Sequence, residues 1–200
     1  HETNIRESLT GRMTRLRLYP LSFSETQKID LNPQKNFPFL VLKCRLRRED
    51  FLNYLNNGGL PGIFSVRNNN ERKSLIEDWI RLTVERDLHQ ITKHKLDSKL
   101  ALRILESIAK LNQPTLAQIS NELGVNSKKI QNHLNALKIL FVVFDIAPFK
   151  KSAGKVMYYL TDPALLNYFN STFEKKLTTW FYLELKSQIS YKDLNEIDVC

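Results

Sequence analysis

Gln113-Pro-Thr-Leu-Ala-Gln-Ile-Ser-Asn-Glu-Leu-Gly-Val-Asn-Ser-Lys-Lys-Ile-Gln-Asn-His-Leu-Asn-Ala-Leu-Lys-Ile-Leu140 carries the most legible local pattern in the chain. Leu116, Ile119 and Leu123 recur at a spacing that brings all three onto one face of a helix over residues 115–123. Gly124 stops that helix, because glycine enters the left-handed region without steric cost. Asn126 or Ser127 is the expected cap of a second helix. In that helix Ile130, Leu134 and Leu137 face inward, while Lys128, Lys129, Gln131, Asn132, Asn135 and Lys138 face outward. Residues 141–146 and 156–160 are rich in β-branched and aromatic residues and read as strands. The basic segment 149–155, with Gly154 as its turn residue, joins them.

Helix, turn, helix, strand, basic loop, strand is the order of a winged helix. A leading helix over residues 97–111, capped by Asp97 or Ser98, supplies its core through Leu100, Ile104, Leu105, Ile108 and Leu111. The expected fold class is mainly α with a small β component. The outward polar set suits phosphates and base edges. The candidate nucleic-acid-binding residues are therefore Ser127, Lys128, Lys129, Gln131, Asn132, Asn135, Lys150, Lys151 and Lys155, with double-stranded DNA as the partner. The second helix has no arginine, the side chain best suited to bidentate reading of guanine. Its outer face is also what any soluble helix displays. A regulatory or protein-interaction winged helix without DNA contact is the alternative.

The whole composition agrees with an anionic partner: 30 Lys and Arg against 21 Asp and Glu leave a net charge of +9 over 200 residues. With 42% hydrophobic and 26% charged residues, the chain reads as a globular protein of one large or two small domains. No apolar run approaches the roughly 18 residues of a membrane span and no secretory signal is visible, so the expected location is cytoplasmic. Cys44 and Cys200 lie far apart without metal-binding spacing. His89 and His94 are five residues apart and so do not share a helical face as metal-binding pairs do. No metal site is expected.

Elsewhere, residues 13–18 alternate like a half-exposed strand that Pro20 ends, and residues 44–55 are compatible with a basic helix. Asn56-Asn-Gly-Gly-Leu-Pro-Gly62 marks a connection or a close approach of backbone; it lacks the GxxxxGK[ST] spacing of a phosphate cradle. Residues 71–88 form an amphipathic helix with Leu75, Ile76, Trp79, Ile80 and Thr83 on its inner side and Arg72 among the outer residues. Glu85-Arg-Asp-Leu88 is expected to close it. Residues 162–169 read as a short helix with proline in its first turn, and residues 172–186 as a longer one. Residues 189–191 and 196–199 read as two strands.

Glu7-Ser-Leu-Thr-Gly-Arg12, Leu18-Tyr-Pro-Leu-Ser-Phe-Ser-Glu25, Gly58-Gly-Leu-Pro-Gly62 and the helix ending in Glu85-Arg-Asp-Leu88 together resemble successive segments of a prokaryotic AAA-superfamily P-loop ATPase. In that family an ATPase domain is followed by a winged helix and a C-terminal domain similar to PD-(D/E)xK nucleases. The resemblance implies that residues 1–25 end the ATPase core, 26–95 form a helical lid, 96–162 the winged helix, and 163–200 the start of the nuclease-like domain. Because the chain opens at His1 and both ends read as cut, it is expected to be a C-terminal piece of such a protein. It has no Walker A lysine and no Walker B acidic pair, so ATP and Mg belong to the implied parent and no cofactor is expected here. Hydrolysis of ATP by this chain alone is not expected. The resemblance makes Arg12 a nucleotide-facing candidate, with a structural ion pair as its alternative. Glu174, Glu196 and Asp198 match leading acidic positions of the nuclease-like site, whose acidic-x-Lys strand is absent, so no catalytic residue is assigned. Beside DNA binding, the resemblance implies a relay of nucleotide state to a protein partner.

Overall fold

The structure, a computed structural model, describes residues 18–28, 47–91, 96–148 and 154–191. It is mainly α with one small antiparallel sheet, as the periodicity predicts. In chain order the elements are α1 (Phe23–Thr26), α2 (Arg48–Asn57), α3 (Asn69–Leu82), α4 (Leu88–Ile91), α5 (Ser98–Lys110), α6 (Leu116–Leu123) and α7 (Ser127–Ile139). The strands β1 (Val143–Ile146) and β2 (Met157–Leu160) follow, then α8 (Pro163–Tyr168) and α9 (Phe173–Tyr191).

Local chemistry sets the helix starts. Asp97 accepts the amides of Lys99 and Leu100, Thr115 that of Gln118, Asn126 that of Lys128, and Asp162 that of Ala164. Each satisfies donors that the first helical turn leaves open. Helices α5, α6 and α7 then close around Ile104, Leu105, Ile108, Ile119, Ile130, Leu134 and Leu137, all essentially without exposure. The same buried cluster runs without interruption from Leu60 through Ile76, Ile80, Val84 and Leu88 to Leu165 and Phe169. The segment before the helix-turn-helix and the short helix after it therefore share its core.

In the hairpin, Val143 pairs with Leu160 and Phe144 with Tyr159. Alternation along each strand sends Val143 and Leu160 into the main core and Phe144 and Tyr159 to the opposite face. There α9 covers them with Leu183 and Tyr182, and the Phe144 and Tyr159 rings stack at 5.5 Å. A single bridge from Thr115 to Met157, with the Tyr158 amide donating to the Pro114 carbonyl at 3.0 Å, extends the sheet by one residue.

Several expectations are corrected. Glu85–Leu88 does not close the preceding helix: residues 83–87 make a π-helical turn, and helical structure continues to Ile91. The Thr83 hydroxyl donates to the Trp79 carbonyl at 2.8 Å, competing with the amide ladder at that turn, and the Ser98 hydroxyl donates to the Val84 carbonyl at 2.7 Å. Arg72 is buried rather than outward, and Leu75 is 37% exposed. Arg72 lies four residues before Ile76 and shares its face; its guanidinium is accepted there because it donates to Asn57, Asn69 and the Val66 carbonyl. Residues 189–191 are helical, not a strand. Buried Glu184 holds that part of α9 against α1, accepting from the Ser24 hydroxyl at 3.2 Å and the Phe23 amide at 3.3 Å, while Gln188 donates to the Glu184 carboxylate within α9. Phe141 is not in β1: it takes φ 57° in a turn where the Val142 amide donates to the Leu137 carbonyl at 3.0 Å, ending α7. The strands expected at residues 13–18 and 196–199 lie outside the described residues, except for Leu18, which is in no regular element.

Candidate nucleic-acid interface

The turn that aims α7 is built from three contacts. Gly124 takes φ 63° and ψ 32°, the Val125 amide donates to the Ser120 carbonyl at 3.1 Å, and the Ser120 hydroxyl donates to the Val125 carbonyl. Ser127 adds a hydroxyl bond to Ser120 at 3.0 Å. Its side chain is thus used inside the turn, although the residue itself is exposed.

Along α7, Lys128, Lys129, Asn132 and Asn135 are exposed and Gln131 is half-buried. Positions 128, 132 and 135 fall on one face, a turn apart. Gln131 donates to the Asn135 carboxamide oxygen at 2.9 Å and accepts from the Tyr158 hydroxyl at 3.4 Å. Asn135 is therefore oriented by Gln131, with its own NH2 left as donor. Asn132 makes no side-chain hydrogen bond among the described residues, so its carboxamide is available in full. Lys138, expected outward, is half-buried in an ion pair with Asp145 at 2.6 Å that ties the end of α7 to β1.

Lys155 is exposed just before β2. Lys150 and Lys151 lie outside the described residues, as do Arg12, Glu196 and Asp198. Glu174 is exposed in the first turn of α9. The structure thus groups Lys128, Lys129, Gln131, Asn132 and Asn135 on one helix, and leaves Glu174 without either of its two expected companions among the described residues.

One residue that supports the interface escaped the sequence reading. His133 is buried; its Nδ1 lies 2.8 Å from the Lys129 carbonyl, and its Nε2 accepts from the Asp97 amide at 3.1 Å. Because the amide can only donate, Nε2 is the acceptor and Nδ1 carries the proton. The ring ties α7 to the start of α5. Its spacing of three from Ile130 and four from Leu137 already placed it on the inner face of the helix.

A family model described as Domain of unknown function (DUF8612) matches residues 48–176, from the first residue of α2 into α9. No curated protein matches the chain in sequence. Among solved structures, a glutamate-to-alanine mutant of Lactococcus lactis ZitR is similar at 19% identity, over 60% of this chain and 86% of that one, with a TM-score of 0.30. A likeness of that size carries no argument about function.

Proposed function

The chain belongs to the DUF8612 family, and we propose that its helix-turn-helix and hairpin bind double-stranded DNA, with α7 entering the major groove. The observation that carries this reading is the outer face of α7. The helix holds no carboxylate, its exposed lysines are Lys128 and Lys129, and the exposed side chains nearest its start are donors. Lys128 and Lys129 meet phosphates, whose contacts supply most of the affinity. Asn132, with its carboxamide unclaimed, reads an adenine through N6 and N7. Gln131 positions Asn135 beside it. Lys155, with Lys150 and Lys151, meets the backbone from the loop between the strands.

Fluorescence anisotropy of a labelled duplex across a salt series tests the proposal. Binding weakens as salt rises, and replacing Lys128 and Lys129 together by Ala flattens the log–log slope by about 2, since each phosphate contact contributes roughly 0.9. Asn132→Ala reduces discrimination between duplex sequences and leaves the salt slope unchanged. A signal that is flat across the series would remove the DNA reading.

A second reading has its own support. The core that joins α3 and α4 to the helix-turn-helix makes these parts move together, as required of a coupling module that relays the nucleotide state of an ATPase to a protein partner without touching DNA. The flat outcome of the same titration favours it.

A further inference from the structure

On a different part of the molecule, α2, α3 and α8 border a cleft of about 780 Å³ that shares no residue with the outer face of α7. Seven of its twelve lining residues are asparagines, and among the described lining residues Arg67, Arg72 and Lys73 are charged and none is acidic. A wall of asparagines is by itself neutral in sign, since each carboxamide both donates and accepts. Two buried cations remove that ambiguity. Arg72 donates to the Asn57 oxygen at 2.6 Å and the Asn69 oxygen at 2.9 Å. Lys176, also buried, donates to the Asn56 oxygen at 3.0 Å and the Asn167 oxygen at 2.6 Å. Guanidinium and ammonium groups only donate, so in each of the four carboxamides the contacted atom is the oxygen. What remains is four NH2 groups, none of which donates to another described residue.

We propose that this cleft binds a small phosphorylated molecule, its phosphate oxygens taking hydrogen bonds from the asparagine NH2 groups and charge from Arg67 and Lys73. A lone carboxylate, with two oxygens and one negative charge, would use few of these donors. A phosphate monoester or diphosphate brings more oxygens and more charge to match them. The volume lies within the range of small-molecule sites, so it holds an organic remainder as well as the phosphate. Tyr168 lines the cleft and is half-buried, offering a ring to that remainder. Arg72 and Lys176 are positioning residues: they set the asparagines and do not themselves need to reach the ligand.

Calorimetric titration of the whole chain with sodium pyrophosphate tests the site. Saturable binding that weakens with added salt is expected. Arg67→Ala removes an exposed cation, and Asn167→Asp keeps the oxygen that Lys176 holds while turning the adjacent NH2 donor into an acceptor. Each weakens pyrophosphate binding by roughly tenfold or more, the size of a lost charge-assisted hydrogen bond. Because Asn167→Asp retains the Lys176 contact, its urea midpoint stays at or above that of the parent, which separates lost binding from lost folding. The Lys128→Ala, Lys129→Ala double variant binds pyrophosphate unchanged. Absence of saturable binding to the parent chain, or undiminished binding by Asn167→Asp, would overturn the proposal. So would loss of pyrophosphate binding on changing Lys128 and Lys129, because the anion would then sit on α7.

Discussion

Asp162 is completely buried, yet its carboxylate is well supplied with donors. It accepts the Ala164 amide at 2.7 Å, capping α8, and the Gly59 amide at 2.8 Å, and the Leu60 amide also favours its charge. The backbone comes so close that a β-carbon at Gly58, where φ is 67°, would fall on this carboxylate, and one at Gly59 would fall on the Leu21 carbonyl. Burial nevertheless prevails over the three amides and pushes the Asp162 carboxyl up to about 7, from an ordinary 3.8. Between those values the folded chain binds a proton that the unfolded chain does not, so this group's contribution favours folding at low pH and is lost as pH rises through about 7. Asp162→Asn removes the titration while retaining a capping oxygen. Urea unfolding at a series of pH values should show the parent losing stability against Asp162→Asn from about pH 4 to pH 7, by up to roughly 4 kcal/mol. An unchanged difference across that range would sink the assignment. In the sequence, Asp162 was visible only as the start of a proline-led helix; its bond to Gly59 spans 103 positions and has no local signature.

At the scale of elements, the turn between α6 and α7 was legible because its determinants are neighbours in the chain. Gly124 and Asn126 act as the stop and cap residues that their types predict, and Thr115, expected as the first helical residue, is the cap of α6. No atom lies within 4 Å of where a β-carbon at Gly124 would stand, so the demand there is conformational alone. Gly124→Ala should therefore lower stability by roughly 1–2 kcal/mol through its left-handed φ, measured by urea unfolding, and leave the salt slope of the proposed duplex titration as it is for the parent. A larger loss would mean that the turn packs against something more. The π-helical turn at residues 83–87 was not legible, since it depends on a Thr83 hydroxyl choosing the Trp79 carbonyl and on Ser98 arriving from a different helix. Within α7 the spacing of Ile130, Leu134 and Leu137 marks the inner stripe, whereas the burial of His133 on the same face has no signal in its residue type.

For the molecule as a whole, the unbroken core from Leu60 to Phe169 predicts that the helices before the helix-turn-helix unfold together with it. The two tryptophans, Trp79 on α3 and Trp180 on α9, allow this to be followed. The Trp180 indole N–H is buried without a partner among the described residues, so Trp180→Phe removes that donor and leaves Trp79 as the reporter. Urea transitions seen by Trp79 fluorescence and by far-ultraviolet circular dichroism should then coincide. Leu88→Ala, at a fully buried position, should shift both midpoints down together by an amount equivalent to about 2–5 kcal/mol. Separate transitions would show two folding units instead. The sequence by itself determined the helix-turn-helix with its turn, the helix that leads into it and the paired strands, because periodicity and capping act over a few residues and are stated in residue type. Only the tertiary structure decided that Arg72, His133, Asp162 and Glu184 are buried, that α9 covers the second face of the hairpin, and that asparagines from three helices line one cleft. Those outcomes rest on hydrogen bonds and burial between residues far apart in the chain, where the free energy of a polar group depends on which partner reaches it rather than on its neighbours in sequence.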